Sequence, residues 1–157
     1  MHKVNELLRR SVDLACANIA DGGGPFGAVI ADAEGRIVAE GSNGVTRCND
    51  PTAHAEVTAI RQACQVRGDY RLDGLLLYSS CEPCPMCMAA ACWARLDGVV
   101  FASTRQQAAA AGFDDNRLWH AFETGTMSLE IPTRHVDLPV AGEEFDRWLT
   151  TLDRKPY

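Results

Sequence analysis

A chain of 157 residues, 46% hydrophobic and 23% charged, is long enough to bury one core and has the balance of a globular protein, not a disordered or fibrous one. Its net charge of −6, from 15 basic and 21 acidic residues, disfavours a long polyanionic partner such as nucleic acid. No apolar run reaches membrane-spanning length and the first twenty residues hold no signal-peptide core, so a cytoplasmic protein is expected.

Apolar residues at Val4, Leu7, Leu8, Val12, Leu14 and Ala15 predict an amphipathic first helix that stops before Asp21. The glycine run that follows, Gly22 to Gly24, lacks the lysine and Ser/Thr of a phosphate loop and reads as a turn into a strand. Strands are expected at 27–31 and 37–41, joined by a turn over 32–35. Asp50-Pro51-Thr52 punctuates the chain before a helix over 53–66, whose inner face carries Val57, Ile60 and Cys64. Residues 75–79 are nearly all apolar, as in a strand buried on both faces. Pro85 starts a helix that runs to 94, residues 99–102 form the next strand, and 106–111 are helical. Asp114 and Asp115 precede a helical stretch from Asn116, which one of them is placed to cap. A short last strand is expected at 134–137 and a closing helix at 142–152, with Glu143 and Glu144 suited to its positive end. Helix, hairpin, helix, strand, helix, strand implies an α/β fold, a sheet with helices on both faces, in a single domain over 1–157.

Seven cysteines are an odd number, and the pattern suits a reducing compartment, not a disulfide framework. Cys16, Cys64 and Cys92 lie in apolar helical stretches and are expected to be small buried hydrophobes. Trp93 is expected in the core or at an interface.

The chemistry concentrates in His54-Ala55-Glu56 and, thirty positions later, Pro83-Cys84-Pro85-Met86-Cys87. One imidazole and two thiolates suit zinc, and three protein ligands leave a fourth tetrahedral position open, as in a catalytic site. Pro85 at the first helical position makes Cys84 the N-cap and sets Cys87 on the same face, so both sulfurs reach one ion. The helix N-terminus favours their thiolate forms. Either half of the motif alone is weak: a lone H-x-E is often a solvated carboxylate, and a lone C-x-x-C is often a redox pair. Together and in this order they are the signature of zinc-dependent base deaminases, in which the glutamate carries protons and is not a ligand. Glu56 is then the proton carrier for the attacking water. A closed four-ligand site using Cys81 is the alternative, since Cys81-x-x-Cys84-x-x-Cys87 holds two overlapping C-x-x-C pairs, but it leaves Glu56 without a task.

On these residues the chain resembles the cytidine deaminase superfamily and, more narrowly, its small bacterial guanine deaminases. Four segments carry the likeness: GPFGAVI (24–30), NDPTAHAEVTAIR (49–61), SCEPCPMC (80–87) and AGFDD (111–115). The ending RKPY (154–157) is also similar to that family's aromatic C-terminus. The first three segments are shared in form with tRNA adenosine deaminases. The last two point to guanine.

The resemblance implies a three-layer α-β-α sandwich around a central mixed sheet of about five strands. It implies zinc on His54, Cys84 and Cys87, with Glu56 as proton shuttle. Asn43 would hydrogen-bond the purine, Phe26 and Phe113 would line the pocket, and Asp115 would contact the amino side and assist proton transfer. It further implies a homodimer whose C-terminal segments, about 140–157, exchange between subunits so that Tyr157 completes the partner's site. Each substrate contact also has a plainer reading. Asn43 lies in a turn-like Gly41-Ser42-Asn43-Gly44 stretch, Asp115 is able to cap a helix, and either phenylalanine suits a core. The activity implied is hydrolytic deamination of free guanine. The alternatives are another small amino-heterocycle (an amino-triazine, guanosine or cytosine), a tRNA adenosine deaminase that would need a basic surface the charge of −6 does not suggest, or a zinc-stabilised binding protein.

Overall fold

The apolar run Ala28-Val29-Ile30-Ala31 has no polar alternate position, and in the computed structural model it forms a strand covered on both faces. The structure describes residues 2–124, 133–136 and 139–152. In chain order the elements are α1 (His2–Ala20), β1 (Gly27–Asp32), β2 (Ile37–Ser42), α2 (Val45–Cys48), α3 (Ala55–Arg67), β3 (Leu75–Cys81), α4 (Pro85–Trp93), β4 (Gly98–Ser103), α5 (Arg105–Ala110), α6 (Asn116–Thr124) and α7 (Glu143–Thr150).

The strands form one mixed sheet in the order β2-β1-β3-β4, with β1 antiparallel to both neighbours and β3 parallel to β4. Side-chain alternation divides the core into two layers. Ala28, Ile30, Leu75 and Leu77 pack with Ala55, Ala59 and Ala63 of α3 and Ala91 of α4. Val29, Ala31 and Tyr78 point the other way and pack on Leu7 of α1, with Val4 and Leu8 beside it. Ile30 and Leu77 are wholly buried, and each side chain of that kind contributes roughly 1.5–3 kcal/mol through removal from water. Alanines dominate the α3 layer because the helix lies close to the sheet. A Cβ on Gly41 of β2 would run into the backbone of Ala55 and Ala59. That close approach brings the N-terminus of α3 down onto the sheet.

The predicted hairpin turn is present. Gly35 adopts φ +83°, and the Asp32 carboxylate accepts hydrogen bonds from the Glu34 and Arg36 amides at 3.0 and 2.9 Å. The sheet has four strands among the described residues, in keeping with a central mixed sheet of about five. Two expectations need correction. Residues 134–136, most of the predicted last strand, are exposed and have no regular structure, with Val136 as their only apolar side chain; residue 137 lies outside the described residues. Cys16 and Cys92 are exposed and Cys64 is only partly buried. The inner stripe of α1 is Leu7, Ser11, Ala15 and Asn18, which turns Cys16 to solvent, and Ala91 takes the inward place next to Cys92. Trp93 is 60% exposed and so is not a core residue. Among the described residues no helix is long and apolar enough to cross a membrane.

Candidate active site

Two helix starts face each other at the end of β3. His54 is the N-cap of α3, at φ −66° and ψ 155°, and Cys84 is the N-cap of α4, at φ −66° and ψ 168°. An N-cap residue commonly spends its side chain on the helix's own free amides. Neither side chain does so here, and each is left to turn toward the other helix. The extended backbone at His54 also explains how a histidine and a glutamate two apart come to face one place, which two residues inside a helix would not do. Glu56 lies in the first turn of α3, and Cys87 in the first turn of α4.

The ligand atoms converge. His54 Nδ1 lies 3.7 Å from Cys84 Sγ and 3.5 Å from Cys87 Sγ, and the two sulfurs are 3.6 Å apart. A tetrahedral zinc with Zn–S of about 2.3 Å and Zn–N of about 2.0–2.1 Å needs ligand-to-ligand edges of roughly 3.5–3.8 Å. The three residues therefore fit zinc without rearrangement, and they form a group able to hold a metal ion. Cys81 is not part of that group. It ends β3, lies 3.7 Å from the Thr104 carbonyl as a thiol donor, and burial pushes its thiol up to about 11. The closed four-ligand alternative is thereby disfavoured by geometry.

Glu56 is buried beside this trio. One carboxylate oxygen is 3.5 Å from Cys87 Sγ, and the other accepts a hydrogen bond from the Ser79 hydroxyl at 3.2 Å. Burial raises its pKa above the usual carboxylate range. The adjacent Cys87 sulfur and the His54 ring hold Cys84 down to about 4, making it a thiolate, and Cys84 in turn raises the pKa of His54. Cys87 is shifted upward by its contact with Cys84 and by burial.

A cavity of about 440 Å³ opens directly over the trio. Its floor is His54, Glu56 and Cys84. Phe26, Asn43, Phe113 and Asp115 also line it. The two phenylalanines meet edge to face, with ring centroids 5.0 Å apart. Asn43 is buried, and its Oδ1 accepts the Val45 amide at 3.2 Å, so it starts α2 and lines the cavity at once. Asp114 is the residue that accepts the Asn116 amide, at 2.9 Å. Asp115 lines the cavity, with its pKa raised first by burial and then by the charge of Cys84. Tyr157 lies outside the described residues.

Sequence reasoning missed three neighbours of this site. Ser79 was legible in principle, since a polar pair, Ser79-Ser80, interrupts an apolar strand. Glu82 and Arg105 both line the cavity, and the Arg105 guanidinium sits 5.1 Å over the Trp119 ring. Arg105 had no signal of its own, although the Thr104–Gln107 capping box that starts its helix follows a readable pattern.

Comparison with known proteins adds to this geometry. Residues 1–103 match the model of the cytidine and deoxycytidylate deaminase zinc-binding region. Over 151 residues, 96% of either chain, the protein is 49% identical to guanine deaminase of Bacillus subtilis. The X-ray structure of guanine deaminase from Bacillus subtilis superposes with a TM-score of 0.92 at 48% identity, covering 98% of both chains. The tRNA-specific adenosine deaminase of Haemophilus influenzae is 36% identical over 123 residues, 75% of this chain and 71% of that one.

Proposed function

This chain belongs to the zinc-binding cytidine and deoxycytidylate deaminase family, and from that premise we propose that it hydrolyses guanine to xanthine and ammonia in a single catalytic domain. The likeness to a guanine deaminase through nearly the whole chain carries the reading. A cavity of about 440 Å³ lined by aromatic rings and a few polar groups suits a free purine base. The net charge of −6 argues against an RNA substrate.

Zinc held by His54, Cys84 and Cys87 supplies the Lewis acidity that makes water a competent nucleophile near neutral pH. The rest of the chemistry belongs to side chains. Phe26 and Phe113, packed edge to face, give the flat ring one apolar surface to lie against and exclude water from it. Asn43, whose Oδ1 is engaged by Val45, has its amide N–H groups left to donate to the purine. Asp115 accepts from the amino side. Glu56 takes a proton from the water that attacks C2 and gives it to the departing amino nitrogen, which leaves as ammonia. Ser79 orients that carboxylate through its hydrogen bond.

The working unit in this reading is a homodimer. Phe145, Leu149 and Leu152 are 66%, 61% and 88% exposed along one face of α7 and the residues just after it, and burial against a second copy would remove that apolar stripe from water. Exchange of the segment from about 140 to 157 would bring Tyr157 to the partner's cavity.

Ammonia release from a panel of guanine, guanosine, cytosine, an amino-triazine and a tRNA anticodon stem-loop tests the proposal. Guanine is expected to turn over fastest. Faster turnover of the stem-loop or of another base would replace guanine as the substrate, and no release from any of them by zinc-loaded protein would favour a binding protein.

A further inference from the structure

The first helix contributes no group to the chemistry, yet one of its side chains grips the substrate pocket from behind. Asn18 lies on the inner stripe of α1 and is only 3% exposed. Its amide nitrogen donates to two backbone carbonyls at 2.8 Å each, those of Gly24 and Asn43. Its Oδ1 accepts from the Arg47 guanidinium of α2 at 3.3 Å. Gly24 and Asn43 both line the cavity. They are joined further by backbone bonds through Phe26, whose amide donates to the Gly24 carbonyl at 2.8 Å and whose carbonyl accepts the Asn43 amide at 3.1 Å. One side chain thus ties together the strand-entry loop, the residue after β2 and the short helix α2.

The glycine run fits this arrangement. A Cβ on Gly23 would collide with the Asn18 side chain, so only glycine lets the loop close over it. Planar asparagine has two N–H groups for two carbonyls and an oxygen for the arginine. Few residues of that size satisfy three such partners at once. A merely structural asparagine would also be buried and bonded, but two of its three partners would not then belong to residues on one wall of the cavity.

We propose that Asn18 is a positioning residue for substrate binding, which sets where Asn43 and Phe26 meet the purine. The proposal rests on the guanine reading. Its role is remote from the zinc ligands, which sit on α3 and α4. Loss of its grip therefore moves KM and leaves turnover at the metal largely intact.

Steady-state kinetics of Asn18→Ala and Asn18→Asp with guanine test this, with zinc content measured in parallel. Asn18→Asp keeps the shape but turns an acceptor toward two carbonyls, so it is the harsher change. In Asn18→Ala, KM is expected to rise about tenfold, the equivalent of one lost buried hydrogen-bond pair, with kcat per bound zinc changed by less than about threefold. A double-mutant cycle then separates positioning from a general loss of packing. If Asn18 acts through Asn43, adding Asn18→Ala to Asn43→Ala raises KM little further. Independent, additive losses overturn the proposal, as does an unchanged KM in folded Asn18→Ala. Should neither Asn18 variant fold, Arg47→Met removes only the exposed arginine that steadies the asparagine, and a rise in KM of roughly twofold or more is expected; an unchanged KM there overturns the proposal too. A parent enzyme that does not turn over guanine sinks the substrate reading, whereas a parent that does, with variants of unaltered KM, sinks only the role of Asn18.

Discussion

The two sides of the cavity are built differently. The side that carries His54, Glu56, Cys84 and Cys87 rests on two helix starts backed by the sheet, and Glu56 and Cys87 are buried, at 5% and 0% exposure. The side that carries Phe113 and Asp115 is a bend between α5 and α6, two short helices, and Phe113, Leu118 and Phe122 remain 45%, 37% and 60% exposed. Core packing over-determines the first, and little in the described chain covers the second. The contrast teaches that reaction and recognition rest on supports of different stiffness. The groups around the candidate metal trio are placed by the core, while Phe113 and Asp115 are placed by short elements whose apolar side chains stay largely exposed.

If that division is correct, the largest effects lie on the buried side. Glu56→Gln keeps the size of the side chain and one acceptor but cannot shuttle a proton, so kcat is expected to fall by ~10²–10⁴. Zinc should stay at one per chain in that variant, whereas Cys84→Ser should lose most of its metal, as read by elemental analysis of the purified proteins. Near-parent turnover by Glu56→Gln would move proton transfer to the other side of the cavity, with Asp115 the first residue to try.

The exposed side gives a smaller effect, and one that tests the proposed exchange between chains. Removing residues 155–157 is expected to lower kcat/KM for guanine about tenfold, as for one lost aromatic contact with the purine. Zinc content and Tm should stay near those of the parent. Mixing this deletion with Glu56→Gln should restore part of the activity, because a mixed dimer joins an intact carboxylate to an intact donated tail. Full activity in the deletion removes the tail from the mechanism, and no recovery in mixed dimers shown to form rules out exchange.

The smallest effect sharpens the boundary of the metal group. Cys81 sits three residues before Cys84, yet its sulfur faces Thr104. Cys81→Ser is expected to retain zinc, with kcat within about twofold, as for a conservative change outside the reacting groups. Loss of zinc from this variant would mean that the site is closed by a fourth protein ligand.

Legibility in the sequence follows the same division. The buried side was readable because its constraints are local: Pro85 starts a helix, Cys84 precedes it, and the ligand spacing follows. The strands read well for a related reason, since their apolar runs are short and bounded by turn residues. The rest depends on contacts that no spacing records. Burial of Asn18 on the inner face of α1, where an apolar residue would be guessed, follows from partners outside the helix, whereas the buried Ser11 donates to the Leu8 carbonyl within it. The exposure of Cys16 and Cys92 turns on about a quarter-turn of helix phase, which an alanine-rich stretch leaves open. The four-residue helix α2 carries no periodicity at all, being held by Asn43 at its start and by a left-handed Asn49, φ 50°, at its end. The predicted strand at 134–137 rested on one valine.

The two N-cap side chains that forgo capping have a bearing on how such a centre is changed or built. Nothing about the pair requires the intervening chain, which runs from Arg67 through the loop to β3, to have any particular length. Insertions there, or a new connection altogether, would leave two helix starts aimed at one ion as long as the sheet keeps its spacing. The exposed wall, by contrast, follows β4 and is tied back to the body by few contacts, among them Arg105 to Glu82 and Phe113 to Phe26. An engineer wishing to redirect the enzyme to a different ring would replace residues 104–124 around a retained Asp115 and leave the metal ligands and Glu56 untouched.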